Sequence, residues 1–368
     1  MALRTEEIIV NVGPQHPSTH GVLRMLVTLS GETIVKVDPI IGYLHRGMEK
    51  IAEKRTYTQY LPFTDRWDYL SPMFNNMVYS LAVENLLKIE VPPRAQYLRV
   101  IAMELNRIAS HLVWFATFTL DLSAVTMSAY MYGFREREEI LDLLERLSGG
   151  RMLYSYICPG GVRGDADDEF LHRLDKFLDS FPKKVDEYEV FITQNRVFQL
   201  RTRDVGILPL ETAINYGVTG PCLRGSGLRF DIRKVHPYCV YDQFEFDIPV
   251  GEKGDCFDRY WVRIQEMREA VKIIRQAVAS MPKGEILKKL PPQYKVPEGE
   301  TFVWIESPRG ALGVYLISDG GTRPYRLKIR APSFYNLSVI NEIARGMKVQ
   351  DLIAILGSLD ILLGEIDR

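Results

Sequence analysis

Two histidines stand in a short loop whose backbone is constrained by glycine and proline. The loop runs Gly13-Pro14-Gln15-His16-Pro17-Ser18-Thr19-His20-Gly21, with two prolines and two glycines. These residues restrict the backbone and lower the entropy cost of holding His16 and His20 in place. Imidazoles exchange protons near neutral pH, which is useful at a reacting ligand. The residues alone leave two interpretations equally open: a ligand-binding loop, or a rigid surface turn with solvated histidines.

A second polar motif, Asp65-Arg66-Trp67-Asp68-Tyr69, is predicted to lie at the start of a helix. Thr64 or Asp65 has the side chain of a helix N-cap. Tyr69 could keep its ring in apolar surroundings and direct its hydroxyl at a ligand. By themselves, these residues favour the simpler alternative of a helix cap followed by a half-buried aromatic side chain.

The predicted helix 94–122 is apolar nearly all round, so it should be buried in a bundle, yet it carries charges. Glu104, Arg107 and His111 lie on one stripe of this helix. Because buried charges need partners, an internal ion-pair network is the favoured interpretation of Glu104 and Arg107. Asp121 lies at the C-terminal end, where the helix dipole disfavours an anion. We therefore expect Asp121 to have a cationic or histidine partner.

Charge and cysteine usage exclude several classes of function. Lys+Arg total 46 and Asp+Glu total 47, a balance that argues against nucleic-acid binding. The cysteines Cys158, Cys222, Cys239 and Cys256 form no C-x-x-C pair, which predicts reduced thiols and no metal or cluster held by this chain. The glycine-rich segments do not match a nucleotide-binding fingerprint, so we expect this chain to bind no dinucleotide cofactor itself.

Hydropathy gives an expectation for location. No run of about eighteen uncharged apolar residues occurs, as a membrane-spanning helix would need. The first residues also lack the apolar core of a signal peptide. The chain is therefore expected in the cytoplasm, unless a partner holds it at a membrane.

These residues must be positioned by helices and strands, and the apolar periodicity predicts an α+β fold in four parts. Residues 1–46 form an N-terminal β unit that carries the histidine loop, and residues 47–200 form a bundle of four or five helices. Residues 201–300 are a loop-rich segment, with short strands up to 256 and then a long helix at 257–280. Residues 301–368 form a C-terminal β-rich unit whose apolar terminus is buried.

Taken together, the motifs resemble the quinone-site (D-type) subunit of proton-pumping NADH:quinone oxidoreductase, respiratory complex I. The resemblance covers essentially the whole chain. It implies a fold like the large subunit of nickel-iron hydrogenases, with an N-terminal β-sheet unit, a central helical bundle and a C-terminal β-rich unit. The motifs that carry it are Asn11–Arg24, Gly42–Lys50, Val91–Arg94, Leu105–Leu112, Phe134–Glu138, Ser318–Gly321, Ala331–Phe334 and Asp367–Arg368.

The resemblance also implies roles for residues of both polar motifs. The chain would form one wall of a quinone chamber, next to the terminal iron-sulfur cluster of a neighbouring subunit. His20 and Tyr69 would lie at the quinone headgroup, and Asp121 would be the acidic partner of His20. Arg66 would lie beside the cluster.

His16 and Arg368 complete the predicted site, whose substrate would be ubiquinone or menaquinone. In the hydrogenases, paired cysteines near segment 67–70 and near the C-terminus hold nickel and iron, whereas 67–70 and 360–365 contain none here. Leu153 stands where the family commonly has a histidine, and Cys158 where it commonly has an arginine. These two changes remove groups that could tune the cluster, so they favour a lower-potential quinone such as menaquinone.

The expected partners are the iron-sulfur subunit at the quinone site, a C-type subunit and the membrane-arm subunits. They would hold the chain peripherally on the cytoplasmic side of the inner (plasma) membrane, where quinone reduction is coupled to proton translocation. Two alternatives stay open: a homologous complex driven by ferredoxin or a deazaflavin, and a non-catalytic coupling scaffold. His20 and Tyr69 on their motifs argue against the scaffold, and the missing thiolates exclude a hydrogenase.

Overall fold

The computed structural model describes residues 6–15, 21–122 and 126–368, with the backbone alone for 126–128. Its first sheet has three strands, β1 (Glu7–Val12), β2 (Arg24–Ser30) and β3 (Thr33–Ile40), which pair antiparallel in chain order. Along β2 every second residue is buried, as the two-residue period of a strand requires when one face meets a core. The strands predicted between residues 6 and 40 are confirmed.

The central bundle contains four long helices in the positions that the periodicity predicts, and two short helices precede them. Helix α4 (Pro93–Asp121) is 29 residues long and buried on nearly all sides, which confirms that it is a core helix. Helix α5 (Thr126–Ser148) packs along it. A two-residue hairpin, β4 (Ile157–Cys158) with β5 (Gly161–Val162), follows α5. The helices are α1 (Met48–Ala52), α2 (Tyr57–Thr64), α3 (Pro72–Leu87), α4 (Pro93–Asp121), α5 (Thr126–Ser148) and α6 (Asp168–Tyr188).

The prediction of short strands between residues 200 and 256 is wrong, because the described chain there forms short helices. A proline or an aspartate stands at or next to the first residue of several of them, positions that favour helix initiation. The long helix predicted at 257–280 is confirmed as α11 (Cys256–Ser280). From residue 189 to residue 280 the elements are a π-helical turn (Glu189–Thr193), α7 (Arg196–Thr202), α8 (Leu210–Asn215), α9 (Pro221–Gly225), α10 (Ile232–Val235), a 3-10 turn (Tyr241–Gln243) and α11 (Cys256–Ser280).

The C-terminal part begins with an antiparallel meander, as predicted: β6 (Gly299–Ser307), β7 (Gly310–Ser318) and β8 (Arg326–Arg330). Four short helices follow: α12 (Pro332–Ser338), α13 (Ile340–Ala344), α14 (Val349–Leu359) and α15 (Leu363–Asp367). Every residue of α15 is buried, so the packed terminus is confirmed. The α+β class is also confirmed.

Two apolar cores organise these elements. The larger unites α2–α6 and α11 with β6 and β7. The smaller joins the first sheet to residues 208–223 and 337–366, and α13 lies against β3. The N-terminal strands thus share a core with the C-terminal helices, which brings the two ends of the sequence to the same region.

The charged stripe on α4 forms the internal ion-pair network that the sequence predicts. Arg107 Nε donates to Glu104 Oε2 at 3.0 Å, and Arg233 Nη1 lies 3.2 Å from Glu104 Oε1. His111 Nε2 lies 2.9 Å from a carboxylate oxygen of Glu266 on α11. Throughout the described ranges, no helix has the length and apolar character needed to span a membrane.

Candidate functional site

The motif from Asp65 to Tyr69 forms the turn between α2 and α3, so the predicted helix start is wrong. Asp65 ends α2 as its C-cap, and α3 begins only at Pro72. The turn is fixed by Asp68, whose Oδ1 accepts hydrogen bonds from the backbone N–H of Leu70 at 3.0 Å and of Ser71 at 3.2 Å. An aspartate that accepts hydrogen bonds from the backbone two and three residues ahead can stabilise a turn as well as the start of a helix. The motif therefore presents Tyr69 from a tight turn.

Tyr69 lies against the last helix of the chain. A Cβ atom at Gly364 of α15 would lie 2.8 Å from Tyr69 Cε1 and 2.6 Å from Trp67 O, so only glycine allows this approach. Burial raises the pKa of Tyr69 above its ordinary value. Its hydroxyl is therefore neutral at physiological pH and can donate a hydrogen bond.

A cavity of about 300 Å³ opens beside Tyr69. Its walls come from the α2–α3 turn, the C-terminal half of α4 and the segment after α14. Such a volume, mostly apolar with a few polar groups, suits a small organic ligand. The lining residues are Tyr69, Leu70, Val113, Trp114, Thr117, Leu120, Asp121, Arg309, Asp360, Ile361 and Leu362.

Asp121, the last residue of α4, also lines this cavity. Close packing of α4 on α14 sets its position, since a Cβ at Gly357 would lie 2.9 Å from Phe118 and 3.7 Å from Asp121 Oδ2. The indole N–H of Trp114 donates to Gly357 O at 2.7 Å, which fixes this ring as part of the wall. The structure therefore brings two predicted site residues, Tyr69 and Asp121, to one cavity.

An arginine that the sequence analysis missed supplies the polar end of the cavity. Arg309 is buried, and its guanidinium joins two carboxylates: Nη1 donates to Asp68 Oδ2 at 2.7 Å and Nη2 donates to Asp360 Oδ1 at 3.1 Å. Both Arg309 and Asp360 line the cavity. In the sequence, Arg309 follows a proline and precedes a glycine, a pattern typical of an exposed turn. Its role becomes visible only when β7 packs on the bundle.

A third carboxyl group, that of Glu365, lies close enough to Asp68 and Arg309 to feel their charges. Glu365 is buried and accepts hydrogen bonds from the backbone N–H of Ser333 at 3.0 Å and from its hydroxyl. Burial and the nearby charge of Asp68 raise the pKa of Glu365 to about 8, although Arg309 opposes the shift. Arg309 pairs directly with only two of the three carboxylates, so the third is most stable with its proton.

The remaining predicted site residues lie outside this cavity. Arg66 is exposed on the α2–α3 turn, where its guanidinium donates to Pro62 O. Arg368 lies in a separate cavity of about 380 Å³. There its Nη1 donates to Ile329 O at 2.8 Å and approaches the carboxylate of Glu49 to 3.5 Å. The structure does not bring Arg368 to Tyr69.

His16 and His20 lie outside the described residues. The chain re-enters the described part at Gly21, where a Cβ would be 3.5 Å from the side chain of Leu363, in ordinary contact. Leu363 is the neighbour of Gly364, which touches the ring of Tyr69. The residue that follows His20 is therefore anchored on the helix that positions Tyr69.

No three histidine, cysteine or acidic side chains of the described residues come together as a metal site. Cys158 lies on β4, Cys222 on α9 and Cys256 on α11, each with a buried thiol. Burial raises the pKa of the Cys158 thiol, which keeps it protonated. That the chain binds no metal or cluster stays a prediction.

Comparison with known proteins identifies similar chains over the full length. A family model described as the 49 kDa subunit of respiratory-chain NADH dehydrogenase matches residues 121–293 and 287–368. Two proteins named as the D-type chain of NADH-quinone oxidoreductase are 52% identical and match over 100% of both chains: that of Desulforamulus reducens over 367 residues and that of Dehalococcoides mccartyi over 368 residues. The protein of the same name from Geobacillus kaustophilus is also 52% identical over 368 residues, with the same coverage.

Proposed function

Because the chain belongs to the family of the 49 kDa subunit of respiratory-chain NADH dehydrogenase, we propose that its Tyr69–Asp121 cavity is where quinone is reduced. The predicted D-type identity is confirmed, and with it a function within NADH:quinone oxidoreductase. The observation that carries the finer assignment is the meeting of Tyr69 and Asp121, 52 positions apart in sequence, on the walls of one apolar cavity.

The cavity suits a quinone ring chemically. Val113, Trp114 and Leu120 provide apolar walls for the ring. The neutral hydroxyl of Tyr69 can donate a hydrogen bond to one quinone carbonyl. That bond strengthens as electrons arrive and charge builds on the oxygen, so Tyr69 stabilises the reduced form more than the oxidised form.

Two-electron reduction leaves two quinone oxygens that each need a proton. Tyr69 can deliver one, and we assign the other to His20, with Asp121 holding the charged form of the imidazole. The contact of Gly21 with Leu363 supports this assignment, because it ties the end of the histidine loop to the helix behind Tyr69. After His20 loses its proton, Asp121 can move or re-pair, a first step toward proton translocation.

Electrons would enter from an iron-sulfur cluster of a neighbouring subunit near Arg66. A fixed positive charge at that surface favours the reduced cluster. The other proposed partners are the C-type subunit and the membrane-arm subunits, which would hold the chain peripherally on the cytoplasmic side of the inner (plasma) membrane. The relatives' names specify NADH, which favours NADH over ferredoxin or a deazaflavin as donor. Leu153 and Cys158 favour menaquinone over ubiquinone as the substrate.

Photoaffinity labelling tests where the quinone binds. A short-chain quinone with a photoreactive ring substituent is added to the assembled complex and irradiated. We expect label on the peptides that carry Tyr69 and residues 113–121, and competition by excess unlabelled quinone. Competed label confined to other peptides, with none on these two, would overturn the assignment.

A further inference from the structure

The first sheet has one closed edge and one open edge. At the closed edge, Ile34 N donates to Met347 O at 2.8 Å and Val349 N donates to Glu32 O at 3.0 Å, so the chain after α13 covers β3. At the other edge lies β1, and among the described residues no further strand pairs with its outer side. An uncovered edge presents backbone N–H and C=O groups to any strand that fits.

The side chains of β1 make this edge unusually apolar. Ile8, Ile9 and Val10 are 52%, 70% and 37% exposed. Consecutive residues of a strand point to opposite faces, so both faces of β1 offer apolar surface to solvent. Soluble proteins usually protect an edge with charged residues, proline or a bulge. The centre of β1 has none of these.

Hydrogen bonds at the closed edge reveal which backbone groups of β1 point outward. Val37 N donates to Asn341 Oδ1 at 3.0 Å, so the backbone of Val37 faces away from β2. Because this direction alternates along an antiparallel ladder, Lys36 and Asp38 face β2, where their partners are Thr28 and Leu26.

The same alternation continues across β2. Since Thr28 and Leu26 face β3, the residues between and beside them, Val27 and Met25, face β1, opposite Val10 and Val12. The backbone groups of Glu7, Ile9 and Asn11 therefore point away from the sheet. Their spacing matches the hydrogen-bonding groups of one more antiparallel or parallel strand.

We propose that β1 is completed by an extended strand of another subunit of the complex, which pairs with the main chain at Glu7, Ile9 and Asn11. Only an extended polypeptide offers donors and acceptors at this spacing. The partner strand carries apolar residues over Ile8 and Ile9. A lysine or arginine faces the exposed carboxylates of Glu6 and Glu7 at the start of β1. The proposal does not depend on the assignment of the quinone site, whose described residues Tyr69 and Asp121 lie on other elements.

Photo-crosslinking in the assembled complex tests contact at this edge. A benzophenone amino acid replaces Ile9, and in a control chain it replaces Tyr325, which is 64% exposed on another part of the surface. We expect residue 9 to form an adduct with one other subunit, at a site within an extended apolar segment that carries a basic residue. An adduct between two copies of this chain, or no adduct, would overturn the proposal.

A pair of backbone variants tests main-chain pairing itself. Ile9→Pro removes an outward N–H and leaves the ladder to β2 intact, because proline is tolerated where the N–H faces away from the sheet. Ile9→Val keeps both the N–H and the apolar branch. We expect Ile9→Pro to lower the yield of assembled complex about tenfold relative to Ile9→Val. Equal yields would contradict strand pairing, even if the crosslink forms.

Discussion

The Cα atom of Gly364 packs against the ring of Tyr69, so closely that a Cβ at position 364 would lie 2.8 Å from Tyr69 Cε1. The last helix of the chain thereby sets the position of a side chain that lies almost three hundred positions earlier in the sequence. The same helix carries Leu363, which contacts Gly21 beside the histidine loop. The last helix therefore packs beside Gly21 and against Tyr69, and we infer that it sets the alignment of the two polar motifs.

Gly364→Ala tests this alignment. The new methyl group meets a backbone oxygen, Trp67 O, at 2.6 Å and the Tyr69 ring at 2.8 Å, so the ring must move. We expect a loss of stability of about 1–3 kcal/mol and a higher KM for short-chain quinones in the assembled complex. Gly321→Ala is the control, because its nearest neighbour is the exposed side chain of Asp319. Equal KM values for the two variants would count against the alignment.

Glu365→Gln tests the buried proton behind Arg309. The pKa of Glu365 is raised from 4.5 to about 8, so the folded protein keeps a proton that the unfolded chain loses above pH 4.5. This contribution to stability is complete below pH 4.5 and is lost as the pH rises to 8. Glutamine removes the titration. The difference in unfolding free energy between wild type and variant should therefore shrink with rising pH, by up to roughly 4 kcal/mol.

Thermal unfolding of the assembled complex at pH 5.5 and pH 8 gives the comparison. The wild type should lose more of its midpoint temperature between these two values than Glu365→Gln does. Glu300→Gln, on the exposed part of β6, serves as the matched control and should behave like the wild type. A pH dependence that is identical in wild type and Glu365→Gln would show that Glu365 is ionised throughout this range.

Arg66→Met tests the proposed cluster-facing surface. Methionine keeps much of the apolar length of the side chain and removes its charge, so the reduced cluster of the neighbouring subunit should become less stable. We expect a lower reduction potential or a changed paramagnetic signal in the assembled complex. Arg203→Met, which removes another exposed arginine, is the control. An unchanged potential and spectrum for Arg66→Met would remove Arg66 from this role.

Periodicity predicted most of the long elements, because the spacing of apolar residues follows the face that each helix or strand buries. The spacing of apolar residues placed α4, α5 and α11, and alternation placed β2 and the meander β6–β8. The prediction of a helix start failed at Asp65. Its carboxylate could cap the next helix, but it instead accepts hydrogen bonds from the backbone N–H and hydroxyl of Ser155, 90 positions away. A local pattern cannot distinguish these two partners.

The site itself was only partly predictable. Tyr69 and Asp121 were predicted as site residues from the resemblance to a known family, and the structure places both on one cavity. Arg309 and Glu365 were missed, because each looks ordinary in its own segment, a turn and a terminal helix. Their importance arises from contacts that span 241 residues, between Arg309 and Asp68, and 32 residues, between Glu365 and Ser333.

Quinone reductase activity of the assembled complex with Tyr69→Phe and His20→Ala tests the central claim most directly. Tyr69→Phe deletes only the hydroxyl and keeps the ring that packs on Gly364, and Tyr325→Phe is the matched control on an exposed ring. Reduction of the clusters by NADH is measured in the same samples, to show that electrons still reach the site. Tyr69→Phe should raise the apparent KM for short-chain quinones and His20→Ala should reduce turnover, while Tyr325→Phe changes neither. If both site variants reduce quinone like the wild type while their clusters reduce normally, quinone is not reduced at Tyr69 and His20.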